Sequence, residues 1–181
     1  MGKKKGEKVL LMEGKYRRFV SVDGWEYLER KNCDGVVAIL GVTDQNEVVL
    51  VEQYRPPVGK HVIEFPAGLV NDLAHLPDET MEDAARREFF EETGYEAGKM
   101  ERLGEGPASC ASLADIIVLY RAMGLKKVGL GGGDAMEDIR VHTVPLSGIH
   151  AWLKARRAEG FYIDPKIYAG LYILKYHNEL F

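Results

Sequence analysis

One stretch of sequence, residues 78–95, constrains the fold more than any other part of the chain. Thr80 and Asp83 have the spacing of a helix capping box, and Gly94 suits the position just after a helix end. These signals predict a helix over residues 81–93. A helix with such defined ends must bury one side against other elements, because helical propensity alone does not stabilise it.

The side chains of this predicted helix divide into an apolar edge and an acidic patch. Glu88, Glu91 and Glu92 have i, i+3, i+4 spacing, so their carboxylates converge. Three like charges cost free energy unless a cation lies among them, and carboxylate oxygens suit Mg²⁺ or Mn²⁺ far better than zinc or copper. The alternative is a solvated helix with ion pairs at helical spacing, such as Arg87 with Glu91. The expected core-facing edge consists of Met81, Ala85 and Phe89.

Apolar runs on both sides of this helix predict a sheet. Residues 36–40 and 48–51 look like buried strands separated by a turn, and three more runs lie at 61–65, 116–120 and 139–144. Two further helices are expected at 147–157 and 165–177. Strands and helices interleave without a regular βαβ period, which favours an α+β fold with a mixed sheet.

The N-terminal region predicts a separate small antiparallel sheet. Its expected strands are 9–12, 17–22 and 25–30, with the hairpin dipeptide Asp23-Gly24 between the last two. Three strands this short bury little by themselves, so the sheet should pack on the rest of the chain or on a second subunit. We therefore divide the chain into an N-terminal β subdomain, 1–32, and a main domain, 33–181.

Composition narrows the class of protein and of partner. With 181 residues, a net charge of -4 and a pI near 5.8, the chain has the size of one domain and lacks the basic character of a duplex nucleic-acid binder. Cys33 and Cys110 are too few for a disulfide framework. No run approaches the length of a membrane span, and the start lacks a signal peptide's apolar region. We expect a cytoplasmic protein without a membrane partner.

The acidic helix also resembles a known family motif. The run Arg87-Glu88-Phe89-Phe90-Glu91-Glu92-Thr93-Gly94-Tyr95, with Glu79 eight residues before Arg87, is similar to the latter part of the Nudix box, Gx5Ex7REUxEExGU. One departure is that ten residues, not five, separate Gly68 from Glu79. We therefore expect a five-residue insertion in the loop around 72–76, next to the metal site.

Flanking motifs narrow the resemblance. The runs Gln53-Tyr54-Arg55-Pro56 and Glu64-Phe65-Pro66-Ala67-Gly68-Leu69 look like the ADP-ribose pyrophosphatase branch of the Nudix family. The resemblance implies the Nudix fold, a mixed sheet sandwiched between helices. It also implies a homodimer in which the N-terminal strands help to build an active site shared by both subunits.

By resemblance, the box residues have specific roles. Glu88 and Glu92 would be the principal Mg²⁺ ligands. Glu91 would share in binding the metal or bridge metal ions, and the Ala67 carbonyl would complete the ligand set. Mn²⁺ would substitute for Mg²⁺. Arg87, counted with Glu91 among the catalytic residues, is better placed to orient a glutamate than to contact substrate.

The general base in this branch lies on a loop between late strands, here residues 131–138. Glu137 matches the family position best, with Asp134 as the reserve, and a solvated acidic turn is the alternative reading. Gly131, Gly132 and Gly133 suggest mobility, as in a gating loop.

Four residues are candidates for substrate binding. Arg55 suits a phosphate or a nucleobase edge through its planar fork, although a surface ion pair would also explain it. Glu64 suits a ribose hydroxyl or a metal ion. Trp25 and Tyr27 either stack a nucleobase or pack in the core or a dimer interface.

These observations together predict Mg²⁺-dependent hydrolysis of the diphosphate in a nucleoside diphosphate sugar. The flanks favour ADP-ribose, and GDP-mannose and related sugars are the runners-up. Hydrolysis of dinucleoside polyphosphates or nucleoside triphosphates fits these flanks less well. A Nudix module that binds a nucleotide without hydrolysing it is a further alternative, which retention of all four box glutamates disfavours.

Overall fold

Eleven strands and three α-helices lie within residues 6–73, 78–133 and 138–180, the part of the chain that the computed structural model describes. They follow the chain in this order: β1 (Val9–Glu13), β2 (Arg17–Val22), β3 (Trp25–Arg30), β4 (Gly35–Val42), β5 (Glu47–Arg55), β6 (Lys60–Glu64), β7 (Ala67–Val70), α1 (Met81–Thr93), β8 (Tyr95–Pro107), β9 (Ile116–Lys127), β10 (Ile139–Pro145), α2 (Ile149–Ala158), β11 (Tyr162–Ile163) and α3 (Pro165–Leu180).

Strands β1, β2 and β3 form a separate antiparallel sheet. Asp23 and Gly24 both adopt positive φ at the β2–β3 turn, as the hairpin dipeptide predicts. This small sheet meets the rest of the chain where Leu28 donates its N–H to the Ser112 carbonyl over 2.9 Å and accepts from the Ala114 N–H over 2.9 Å. Every residue of β1 is exposed in the single chain.

The main sheet has eight strands, and β4 and β5 pair with each other over only part of their length. β4 and β5 pair only at Gly41 with Val49 and Val42 with Val48. Beyond that point β5 continues against β6, and β4 continues against β7. The strands β6 and β7 therefore diverge, and the residues at the end of β6 and the start of β7 border a gap.

Both faces of the main sheet are buried, which explains why β4 and β5 are almost continuously apolar. On one face, Phe89 of α1 packs in a cluster with Val37 and Ile39. On the other face, Leu40 and Ile63 pack against α2 and α3. The predicted α+β fold with a mixed sheet between helices is therefore confirmed. Among the described residues, no helix has both the length and the apolar character that a membrane crossing needs.

The longest strand, β8, was missed by the sequence analysis. Its 13 residues alternate exposed with less exposed positions and contain Gly98, Gly104 and Gly106, so they lack an apolar run. Among the residues that the structure describes, β8 pairs only with β9, at the edge of the sheet. An edge strand needs little apolar surface. Its partner β9 extends to Lys127, well past the predicted 116–120, because β8 pairs with it along this length. The short strands β7 and β11 were also missed.

Candidate functional site

Helix α1 occupies the predicted residues and has the predicted caps. The Thr80 Oγ1 accepts from the Asp83 N–H over 3.1 Å, and the Thr80 hydroxyl donates to the Asp83 Oδ2 over 2.7 Å. Gly94 ends the helix in the left-handed conformation, with its N–H on the Phe90 carbonyl. The buried side of α1 includes Ala85 and Phe89. Glu88 and Glu91 of the acidic patch line the groove between β6 and β7.

The Arg87 guanidinium organises the box carboxylates. It binds Glu79 through two bonds, Nε to Oε1 at 2.7 Å and Nη2 to Oε2 at 3.0 Å. Nη1 donates to the Glu88 Oε1 over 2.8 Å and to the Glu91 Oε2 over 3.2 Å, and Nη2 also donates to the Leu69 carbonyl. Arg87 lowers the pKa of Glu79 by hydrogen bonding to its ionised form. All three guanidinium nitrogens are thus occupied with orienting protein groups.

The Glu88 carboxyl lies against the backbone of β7, where Gly68 makes room for it. A Cβ on residue 68 would lie 1.8 Å from the Glu88 Cδ, so only glycine allows this approach. Burial raises the pKa of Glu88 to about 7, because withdrawal from water outweighs the neighbouring Arg87 charge. A carboxylate held in this way is suited to a hard cation, since a cation would compensate the lost hydration.

The other two predicted helix ligands differ in exposure. Glu91 has a side chain 42% exposed and lines the groove with Glu88. Glu92 is buried, and its Oε2 accepts the Ala67 N–H over 3.2 Å. Within the described ranges, no group of three His, Cys, Asp or Glu side chains has the geometry of a preformed metal site. Glu88 and Glu91 both line the groove and carry the oxygen donors that suit a divalent cation, and Glu92 faces the backbone of Ala67, the fourth predicted ligand.

The groove between β6 and β7 has a volume of about 770 Å³, within the usual size of small-molecule sites. Two predicted substrate-binding residues border it as an ion pair, with the Arg55 Nε 2.6 Å from the Glu64 Oε2. Burial raises the pKa of Glu64 against the opposing effect of Arg55. The predicted site residues that this groove brings together are Arg55, Glu64, Ala67, Arg87, Glu88 and Glu91.

Trp25 and Tyr27 lie outside this groove. Both are on β3 of the small sheet, and Trp25 is 64% exposed. Neither is among the groove-lining residues of the same chain. Within one chain, the structure therefore does not bring these rings to the groove that the other predicted residues line.

Three charged groove residues were missed by the sequence analysis. Arg30 reaches the groove from the end of β3, and Lys166 reaches it from the first turn of α3. Asp115, 8% exposed, holds the Arg30 Nε at 3.0 Å. Asp72 lines the groove near Arg87. The sequence did not point to them, because they come from elements that are distant along the chain.

The predicted general base lies outside the described residues. Residues 134–137 include both Glu137 and Asp134, and the expected insertion around 72–76 falls partly in the undescribed 74–77. The base of that insertion is closed by Asn71, whose Oδ1 accepts the Glu79 N–H over 2.6 Å. Gly131 to Gly133, expected to give mobility, are used for close backbone approach to α1.

Comparison with known proteins gives a consistent result. The family model described as "NUDIX domain" matches residues 34–156. The methanol dehydrogenase activator of Bacillus methanolicus is 37% identical over 124 residues, 68% of this chain and 64% of the relative, so the match spans less than two thirds of that protein. The ADP-sugar pyrophosphatase of Mus musculus is 33% identical over 160 residues, 82% of this chain and 70% of the relative.

Solved structures show the same fold. A crystal structure of an ADP compounds hydrolase superimposes with a TM-score of 0.71, covering 95% of this chain and 91% of that chain. At 18% identity this likeness concerns the fold alone.

Proposed function

The chain belongs to the Nudix family, in its branch of ADP-ribose and nucleoside diphosphate sugar pyrophosphohydrolases, and from this premise we propose that its substrate is ADP-ribose. The products would be a nucleoside monophosphate and a sugar phosphate. One observation carries the proposal: Arg87 gathers Glu79, Glu88 and Glu91 at a groove that also holds Arg55 and Glu64.

The reaction needs neutralised phosphate oxygens, an activated water and a positioned leaving group. Nudix hydrolases use divalent cations. Here Mg²⁺, with Mn²⁺ as a substitute, would be held by Glu88, Glu91, Glu92 and the Ala67 carbonyl, and when bound it supplies charge neutralisation and a more acidic water.

The protein groups would divide the remaining work. Arg87 fixes the orientation of Glu88 and Glu91. Arg55 offers its planar fork to a phosphate or to the edge of the base. Glu137 would accept the proton from the water that attacks one phosphorus, and the other phosphate leaves.

Other substrates compete with ADP-ribose in this proposal. GDP-mannose and other nucleoside diphosphate sugars compete closely, because nothing in the box itself reads the base or the sugar. Dinucleoside polyphosphates and a purely binding role are weaker alternatives. The relative named as a methanol dehydrogenase activator motivates a second candidate, stimulation of an alcohol dehydrogenase, which a dehydrogenase assay with and without this chain would test.

Quaternary structure and location are part of the same proposal. We infer a homodimer built partly by the subdomain of residues 1–32, placing Trp25 and Tyr27 near the partner's groove. The exposed apolar side chains of β1 support this inference. A cytoplasmic location fits the two free cysteines, Cys33 and Cys110.

The direct test is a panel of nucleotides incubated with Mg²⁺ and scored for released nucleoside monophosphate. We expect ADP-ribose to give the highest kcat/KM and EDTA to abolish turnover. Glu92→Gln and Glu88→Gln should each reduce turnover by several orders of magnitude, because each removes a ligand charge. Undiminished activity in excess chelator, or no turnover of any nucleotide, would overturn the proposal.

A further inference from the structure

The C-terminal end of α1 carries two of the proposed metal-binding residues. A helix leaves its last four carbonyls without partners inside the helix, and in α1 these belong to residues 90–93. Glu91 and Glu92 thus lie in a turn that would fray if those carbonyls were left to water. The position of their carboxylates depends on what caps this turn.

All four carbonyls have protein partners, and three partners come from one distant segment. The Gly94 N–H binds the Phe90 carbonyl over 2.7 Å, as in an ordinary helix end. The Gly133 N–H binds the Glu91 carbonyl over 3.1 Å, and the Gly132 N–H binds the Glu92 carbonyl over 2.9 Å.

The fourth carbonyl is capped by a charge. The Lys127 Nζ donates to the Thr93 carbonyl over 2.6 Å and to the Leu130 carbonyl over 3.3 Å. It also lies 4.7 Å from the centre of the Tyr95 ring. A cation at a helix C-terminus is favourable because it faces the negative end of the helix dipole.

The contact is so close that it depends on glycine. Gly131 has φ +72, and a Cβ there would lie 2.5 Å from the Glu92 carbonyl oxygen and 2.5 Å from the Thr93 carbonyl carbon. A Cβ on Gly94 would meet the Gly129 oxygen at 2.3 Å. Backbone atoms cannot move aside as a flexible side chain can, so a substitution at residue 131 must displace the segment from α1.

We propose that Lys127, Gly131, Gly132 and Gly133 form a cap that positions the metal-binding turn of α1. The cap holds the backbone of Glu91 and Glu92 in helical geometry before the metal arrives. Binding then does not have to order that turn. These are positioning residues, since they act through the carbonyls at the end of α1, and the inference rests on the proposed function of Glu91 and Glu92.

The test compares two alanine substitutions by calorimetric titration with Mg²⁺ alone. Gly131→Ala should weaken Mg²⁺ binding about tenfold, the change expected from having to order one backbone residue on binding. Gly129→Ala is the matched control. Its Cβ would meet only ordinary contacts, 3.7 Å from the Gly94 Cα and 3.9 Å from Phe90. It should bind Mg²⁺ within twofold of wild type.

Activity provides a readout that general damage would not mimic. The turnover of Lys127→Met should recover toward the wild-type rate at saturating Mg²⁺, because this variant leaves the glycines that precede Glu137 in place and its effect lies in metal affinity. If Gly131→Ala fails to fold, Lys127→Met replaces it, and Lys127→Arg should restore the affinity that Lys127→Met loses.

The outcomes separate this inference from the proposed function. Wild-type binding of Mg²⁺ together with unchanged affinity in folded Gly131→Ala and Lys127→Met would overturn the cap alone. A turnover defect of Lys127→Met that excess Mg²⁺ does not reduce would also overturn it. A wild-type chain that binds no Mg²⁺ would overturn the proposed function, and the cap's role with it.

Discussion

Among single residues, Glu88 has the environment with the most direct physical consequence. Its carboxyl is buried beside Gly68, and burial raises its pKa to about 7 from an ordinary value of 4.5. In the unfolded chain it ionises near 4.5, whereas the folded chain keeps its proton up to about pH 7. The folded state therefore binds more protons between these values, and stability falls as pH rises through that window.

This sign leads to a prediction for the metal-free protein. In EDTA, wild type should lose roughly 2–3 kcal/mol of unfolding free energy relative to Glu88→Gln between pH 4.5 and 7.5, at about 1.4 kcal/mol per pKa unit. Urea unfolding of both proteins across this range measures the difference. Added Mg²⁺ should restabilise wild type at the upper end and leave Glu88→Gln nearly unchanged. A difference independent of pH would contradict the assigned burial.

Glu137 is the residue whose proposed role most needs a kinetic test. Glu137→Gln should lower kcat by roughly 10²–10⁴-fold, the usual contribution of one general base, with little change in KM. Steady-state kinetics with ADP-ribose measures both constants. Asp134→Asn is the parallel variant. A large defect in Asp134→Asn with a mild one in Glu137→Gln would transfer the role to Asp134, and two mild effects would return it to a glutamate of α1.

At the scale of elements, the start of α1 can be tested apart from its acidic end. Thr80 and Asp83 exchange hydrogen bonds at the N-cap. Thr80→Ala should cost about 1 kcal/mol of unfolding free energy, because it leaves a helix N–H without its side-chain acceptor. Thr80→Ser retains the hydroxyl and should remain within a few tenths of wild type. The urea unfolding midpoints of the variants and of wild type measure the difference. Equal stability of the alanine and serine variants would refute a contribution of the N-cap hydroxyl.

At the scale of the whole molecule, β1 leaves an apolar strand uncovered. Val9, Leu10, Leu11 and Met12 are 45–69% exposed in one chain, and exposed apolar surface of this kind marks interaction sites. We predict a dimer by light scattering at micromolar concentration. The double variant Leu10→Glu with Met12→Glu should be a monomer with reduced activity.

A matched control separates this effect from added surface charge. Tyr172 on α3 is 57% exposed, and Tyr172→Glu should remain dimeric. A wild-type monomer with full activity would show that the small sheet serves another purpose.

Sequence alone determined the features that depend on residues close together in the chain. The caps of α1, the Asp23-Gly24 hairpin and the apolar runs of β4 and β5 each specify their own conformation, and the structure has them where they were predicted. The box motif likewise predicted that Glu88 and Glu91 lie on one side of α1, because i, i+3 spacing brings helical side chains together, and both line the groove.

Tertiary structure decided what depends on elements far apart in the chain. The edge strand β8 exists because β9 lies beside it, and Arg30 and Lys166 meet at one groove because β3 and α3 both border it. The burial of the Glu88 carboxyl against Gly68 and the cap that residues 127–133 form on α1 also follow from packing. No single segment encodes these contacts, since burial and close backbone approach arise only when separate segments are brought together.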